Sequence, residues 1–363
     1  MLKIKNKLNR NNIIFLSILI VINLFLLSLF DFDKEVDFEI VGVDKIYLAI
    51  GEIKELDYEI KIAETLEEDL KLDYISKDDT ILDIKNNKII GLNVGKTYLN
   101  IKCLDKEKVV EVIVTDLITL PKYAQDKEYL GCNVFAEEEA KVLDEILEYD
   151  INDAGYETRA GVVAAARFLS LKFPYKINYY FENGRLNSSR RKHIDAEGRY
   201  YHKGLYLSEN KYDTLEENAS TRKPKMWGCE LYANYTKSYS RNGLNCSGFV
   251  SWVLLNGGFN VGDLGAGSTE EFDFTDLGNK VNLNLEVIEN DIKVGDLIGR
   301  DGHIAIIIGI DEEKVYIAES YIPSLKVREF TYQELVDSYE FKYVMLMDSV
   351  YKKDGNLKNM WGN

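Results

Sequence analysis

Cysteine, histidine and basic charge are all scarce in this chain. Four cysteines in 363 residues (Cys103, Cys132, Cys229 and Cys246) are too few to staple a fold, and no two are spaced as C-x-x-C. Neither a disulfide scaffold nor a metal site is therefore expected. Three histidines restrict imidazole chemistry to His193, His202 and His303, and the first two lie in polar, loop-like sequence. Acidic residues outnumber basic ones, giving a formal net charge of −16, so a polyanion is repelled and no nucleic-acid partner is expected. The basic run Arg190-Arg191-Lys192-His193 reads as a solvated loop. What is present is ordinary for a folded protein: 46% apolar and 29% charged residues exclude extensive disorder. The length exceeds one hydrophobic core and calls for two folded units with an added segment.

That added segment lies at the start. Ile13 to Phe30 is an apolar run broken only by Ser17, Asn23 and Ser28, preceded by Lys3, Lys5, Lys7 and Arg10. About 18–20 such residues suffice to span hydrocarbon as a helix, and the positive flank (1–12) places the N-terminus in the cytoplasm. A cleaved signal peptide is the competing reading, but Ser28-Leu29-Phe30-Asp31 lacks a small-x-small cleavage pattern and no lipid-acceptor cysteine follows. Residues 13–30 are thus expected to anchor the chain in a membrane, with the remainder outside the cytoplasm.

From residue 37 to 116 short strand-like runs alternate with turns: Ile46–Ile50, Ile81–Ile84, Lys88–Ile90 and Val109–Val114, with Asn86-Asn87 and Gly95-Lys96 between them. No helical period intervenes, so a small β-sandwich is expected. The segment resembles bacterial Ig-like domains in Leu48-x-x-Gly51-Glu52, Tyr74-x-Ser76-x-Asp78 and Ile90-Gly91-Leu92-x-x-Gly95-Lys96-Thr97. These residues imply a fold and no ligand. Residues 117–154 read as a linker and helical connector, with Ala140, Val142, Leu143, Ile146 and Leu147 on one face. A second helix covers Val162–Leu171. Residues 155–350 are assigned to a catalytic domain and 351–363 to a loose polar tail.

Chemistry concentrates in two stretches. In Gly243-Leu244-Asn245-Cys246-Ser247-Gly248-Phe249-Val250-Ser251-Trp252-Val253-Leu254, the apolar positions fit a helix whose first turn holds Cys246. Unpaired amides and the helix dipole at such a position favour a thiolate. The alternative is a capping-region cysteine buried as a small hydrophobe, which is also the reading of Cys103 and Cys132. Cys229 is the other candidate thiol. The second stretch, Gly295-Asp296-Leu297-Ile298-Gly299-Arg300-Asp301-Gly302-His303-Ile304-Ala305-Ile306-Ile307-Ile308, opens an apolar strand with His303. If Cys246 has a base, His303 is the candidate. The next strand, Lys314 to Ser320, should pair antiparallel, and a register opposing Ile307 to Val315 sets His303 against Glu319. That carboxylate either holds the imidazole or is a solvated charge at a strand end.

Asn245-Cys246-Ser247-Gly248-Phe249-Val250 followed by Gly295-Asp296-Leu297 and Gly302-His303-Ile304-Ala305 resembles the NlpC-type family of papain-like cell-wall peptidases, over roughly Phe173 to Met347. The resemblance implies an α+β catalytic domain, its cysteine on a helix N-terminus packed against an antiparallel sheet. The whole chain would then run from an N-terminal transmembrane helix through an all-β Ig-like sandwich to that domain. It implies Cys246 as nucleophile, His303 as base and Glu319 as orienting residue, where the family more often has His, Asn or Gln. It also implies hydrolysis of peptidoglycan stem peptides, typically at the γ-D-glutamyl to diamino-acid bond, without a cofactor. An aromatic-Gly segment lines the family's groove; Ile177–Gly184 with Tyr180 and Lys225–Gly228 with Trp227 compete for that place, and Asn245 and Ser247 flank the nucleophile. Asn245 replaces the usual Asp that binds a free amine, which weakens any requirement for a free N-terminus. The insert from Arg185 to Tyr239 is a lid or a substrate-shaping loop. Other readings are a thiol acyltransferase or amidase of the same fold, or an inert wall-binding surface protein.

Overall fold

The computed structural model describes residues 38–62, 70–118, 137–179, 230–233, 239–241, 243–262, 264–266 and 273–357. Of these, 40% are strand and 25% helix. This corrects the expected fold class, which led with a membrane-spanning helix: among the described residues no helix is long and apolar enough to cross a membrane. The physical reason lies in length and charge. Among the described residues the longest helix, Glu137–Ala154, is heavily acidic, and the most apolar, Cys246–Asn256, has 11 residues. At about 1.5 Å per residue the latter reaches only about half the thickness of a hydrocarbon core. The run 13–30 lies outside the described residues, as do Cys132, Tyr180, Trp227, Cys229, His193 and His202.

Chain contacts divide the molecule into two compact units. The smaller comprises Met1–Gly42, Asp57–Asp73 and Ile101–Lys108. In it β1 (Phe38–Val41) pairs antiparallel with Glu59–Ile62, the fourth strand of the chain. Phe38, Ile40, Ile101 and Cys103 are buried. The Lys106 ammonium lies 4.8 Å from the Phe38 ring centroid and caps the Phe38 carbonyl.

The larger unit comprises Val43–Leu56, Tyr74–Asn100 and Val109–Asn363, so the 37–116 stretch is shared between both units. Its first strands are β2 (Lys45–Ala49) and β3 (Ile53–Glu55), ahead of β4 (Glu59–Ile62), followed by β5 (Asp73–Ser76), β6 (Leu82–Lys85), β7 (Lys88–Gly91), β8 (Gly95–Cys103) and β9 (Lys106–Thr115). They form a four-stranded sheet, β2-β9-β8-β5, and a three-stranded one, β3-β7-β6. The predicted connector is helix α1 (Glu137–Ala154), and its Leu143, Ile146, Leu147 and Ile151 are buried. Its acidic flank meets β2 and β3 through charge: Glu145 accepts from the Tyr47 hydroxyl, and Asp153 sits 3.4 Å from the Lys54 ammonium, which also covers the Tyr149 ring. Lys172 lies 3.0 Å from Asp150 and 3.9 Å from Glu52.

Helix α2 (Arg159–Arg167) runs into a π turn, Phe168–Lys172. The first four amides of a helix have no partner within it. Here Arg159 N and Ala160 N donate to the carbonyls of Lys353 and Asp354, at 3.0 and 2.9 Å. Gly161 N and Val162 N donate to Thr158, to its hydroxyl and carbonyl. Residues 351–357 are therefore tied down where a loose tail was expected: Tyr351 is buried, and its hydroxyl donates to Gly295 O at 3.1 Å. Tyr351 also places its ring centroid 5.0 Å from the Arg159 guanidinium.

The remaining strands are β10 (Asn178–Tyr179), β11 (Glu230–Ala233), β12 (Tyr239–Arg241), β13 (Gly243–Leu244), β14 (Asn279–Asn282), β15 (Leu297–Arg300), β16 (His303–Ile310), β17 (Lys314–Tyr321), β18 (Ser324–Thr331) and β19 (Tyr343–Leu346). Eight of them make one sheet, ordered β13-β10-β18-β17-β16-β15-β19-β14. Helix α3 (Cys246–Asn256) and α2 pack on one face of it; α4 (Leu285–Asn290) and α5 (Tyr332–Asp337) cover the other. This explains the unbroken apolar run of β16. Ile304, Ile306 and Ile308 enter the core with α2 and α3, whereas Ala305 and Ile307 enter the core with Leu335 of α5, so alternation by polarity is unnecessary.

Candidate active site

The polypeptide around the thiol is built by its own sequence. Asn245 has extended backbone (φ −85°, ψ −176°) and caps α3: its Oδ1 accepts from Gly248 N at 2.8 Å and from the Ser247 hydroxyl at 3.0 Å. An asparagine N-cap of this kind contributes about 1 kcal/mol. It fixes where the helix starts and so where Cys246 points. Phe249 N donates to Asn245 O, which leaves the amides of Cys246 and Ser247 as the open donors of the helix end. Upstream, β13 is pinned twice. Leu244 pairs with Tyr179 in the parallel β10–β13 ladder, and its carbonyl accepts from the Ser320 hydroxyl at 2.5 Å. Cys246 is 6% exposed.

His303 starts β16 directly after the Asp301-Gly302 turn, where Gly302 takes φ +78°, a left-handed conformation that suits glycine. The expected register is corrected. Ile307 faces Ile317, not Val315, and a bulge between Ile307 and Gly309 carries Ile310 to Val315. The slip is two residues at the His303 end, so parity survives. Side chains keep their face, and Glu319 reaches His303 diagonally, with Nε2 and Oε2 2.7 Å apart. His303 is 3% and Glu319 2% exposed.

Burial alone would lower the His303 pKa, but hydrogen bonds with Cys246 and Glu319 outweigh it and push it up to about 9. Glu319 moves the opposite way. Burial would raise it, yet the bond to His303 and the charges of His303, Arg328 and Lys326 hold its carboxyl below the ordinary range. Since Nε2 faces the carboxylate, Nδ1 is the ring nitrogen left for the thiol. The Tyr321 ring stands edge-on at 5.1 Å from the imidazole centroid and Phe341 lies at 6.0 Å.

Of the residues expected near substrate, Asn245 and Ser247 are buried in the helix cap. Tyr180 and Trp227 lie outside the described residues, as does most of the insert Arg185–Tyr239. The described chain instead brings Tyr179 and Tyr343 to the thiol, and a third tyrosine, Tyr321, to the imidazole. Tyr179 is half-buried, and burial followed by the influence of Cys246 and Tyr321 raises its phenol. Tyr343 is buried and raised, first by burial and then by Asp273, Asp301 and Cys246. Tyr321 lies with its ring centroid 6.3 Å from that of Tyr179. Only the last of these carries a usable signal in the sequence, two positions after Glu319 on the same face. Among the described residues no group of three His, Cys, Asp or Glu side chains is placed to hold a metal ion.

The motif glycine and aspartate do not touch the thiol. Asp296 is 1% exposed; its Oδ1 accepts from Arg159 at 2.7 Å and from Met347 N at 3.0 Å, and its Oδ2 from Lys293 N at 2.8 Å. Gly295 N donates to Ile307 O, and its φ of +98° brings the backbone against the Arg159 stem. These residues lock the entry to β15 and thereby the hairpin that carries His303.

No protein-family model and no curated protein matches the chain. Among solved structures, the crystal structure of domains 4 and 5 of the S-layer protein SbsC aligns at 18% identity with a TM-score of 0.20, over 22% of this chain and 54% of that one. The chain spans about half the length of that structure, and a likeness this slight carries no argument.

Proposed function

We propose that the protein is a cysteine peptidase of the NlpC type that hydrolyses amide bonds in peptidoglycan stem peptides outside the cytoplasm. The observation that supports this most directly is the buried series Cys246, His303, Glu319, with the carboxylate 2.7 Å from Nε2 and the thiol close enough to the ring to help raise its pKa. In this reading Cys246 gives its proton to Nδ1 and attacks the scissile carbonyl. The amides of Cys246 and Ser247 stabilise the oxyanion. The imidazolium then protonates the departing amine, leaving a thioester that water, deprotonated by His303, hydrolyses. Glu319 accepts the Nε2 hydrogen throughout and fixes the tautomer. No cofactor enters any step.

The bond expected from the resemblance is γ-D-glutamyl to diamino acid. Mass spectrometry of muropeptides after incubation of purified wall with the full chain tests it. New fragments ending at that bond, absent with Cys246→Ala, support the reading. Transfer products carrying an added amine point to acyl transfer instead, and an unchanged wall removes the peptidase reading.

A further inference from the structure

A carboxylate as buried as Glu319 keeps its charge only if neighbours replace the lost water. His303 does so at Oε2 alone. The second oxygen faces the next strand, where Glu319 pairs with Lys326 and Ile317 pairs with Arg328. Arg328 Nη1 donates to Oε1 at 3.3 Å, and Lys326 Nζ lies 3.6 Å from the same atom. The two cations are not equivalent. The Lys326 ammonium is shared with the Tyr321 ring, 5.6 Å from its centroid. Arg328 is fixed at both ends: Glu340 accepts from Nη2 at 2.9 Å and from Nη1. The charged groups around Glu319 are therefore His303 from β16, Lys326 and Arg328 from β18, and Glu340 behind Arg328 from the turn before β19.

We infer that Arg328 is a positioning residue of the thiol site: by bonding Oε1 from β18, it keeps Glu319 ionised with Oε2 aimed at His303 Nε2. This rests on the reading of Cys246 as nucleophile. The reason is tautomeric. A protonated Glu319 donates to Nε2 instead of accepting from it, which moves the hydrogen of a neutral ring to Nδ1. Nδ1 then has no lone pair for the thiol proton. Arg328 thereby lets a glutamate serve at this place, since an unassisted buried carboxylic acid tends to hold its proton.

Alkylation of Cys246 in the full chain by iodoacetamide, followed by peptide mapping from pH 5 to 9, tests this without any wall substrate. In Arg328→Gln the acid limb should move to higher pH, with about tenfold slower labelling near pH 5.5, the equivalent of one pKa unit. Arg328→Lys should restore part of it, and Lys326→Gln should shift it less. Glu340→Gln, which releases the far end of Arg328, moves the limb the same way and serves where Arg328→Gln fails to fold. Profiles that superimpose on the parent overturn the inference. So does a uniform fall at every pH, which marks a scaffold role. A parent whose Cys246 labels no faster than Cys103 overturns the nucleophile reading itself, a different failure from a reactive thiol indifferent to residue 328.

Discussion

At the scale of single residues the chemistry separates two thiols that burial alone does not. Both Cys103 and Cys246 are free and buried, but burial, with Asp73 and Asp105 nearby, pushes the Cys103 thiol up, whereas Cys246 has an imidazole partner and a helix end. Brief alkylation at neutral pH should label Cys246 first. The orienting role of Glu319 gives a graded expectation: Glu319→Gln keeps an acceptor and partial activity, while Glu319→Ala loses roughly 10²–10⁴-fold, read as kcat/KM on muropeptides. An alanine variant as active as the parent removes Glu319 from the site. The pair also sets a pH window. His303 titrates higher when folded, so its contribution to stability is complete below about 6.5 and lost as pH rises through about 9. Glu319 titrates lower when folded, so its contribution is present above its unfolded value of 4.5 and lost on acidification. Melting temperature should fall at both ends in the parent, and Glu319→Gln should flatten the profile.

At the scale of elements, the helix that carries the thiol depends on its cap. Asn245→Ala should cost about 1 kcal/mol by urea denaturation, whereas Asn245→Asp, which keeps an acceptor at the same place, should cost little. Part of this local chemistry was legible: the helix start and the His303 strand follow from spacing and polarity. The register that brings Glu319 to His303 was not. A bulge near Ile308 shifts the β16–β17 register by one residue and leaves the His303 end two residues from the expected pairing, and nothing in the apolar sequence Ile306-Ile307-Ile308 marks it, because both faces of the strand are buried. Face was predictable and register was not, since the former needs only parity. The role of Asp296 was equally hidden. Its partners, Arg159 and Met347, lie on other elements far away in sequence, and no periodicity reports a buried ion pair.

At the scale of the molecule, the larger unit is closed by contacts between distant parts of the chain. Arg159 joins Asp296, Asp348 and the Val294 carbonyl while its own amide holds Lys353. Breaking a buried pair leaves an uncompensated charge, so Arg159→Ala should destabilise the unit by about 3–5 kcal/mol in urea denaturation, and the loss should lower activity without altering its pH profile. The division of residues 37–116 between two units is likewise a long-range outcome, since Ile101–Lys108 clusters with β1 and β4 while the flanking parts of β8 and β9 do not. The clasp of Lys353 and Asp354 on the start of α2 bears on timing. A ribosome delivers Arg159 and Ala160 long before Lys353 and Asp354, so these open donors of α2 wait for carbonyls that are made far later. During synthesis the start of α2 thus stays open until those residues emerge, and the thiol of Cys246 waits in the same way for His303.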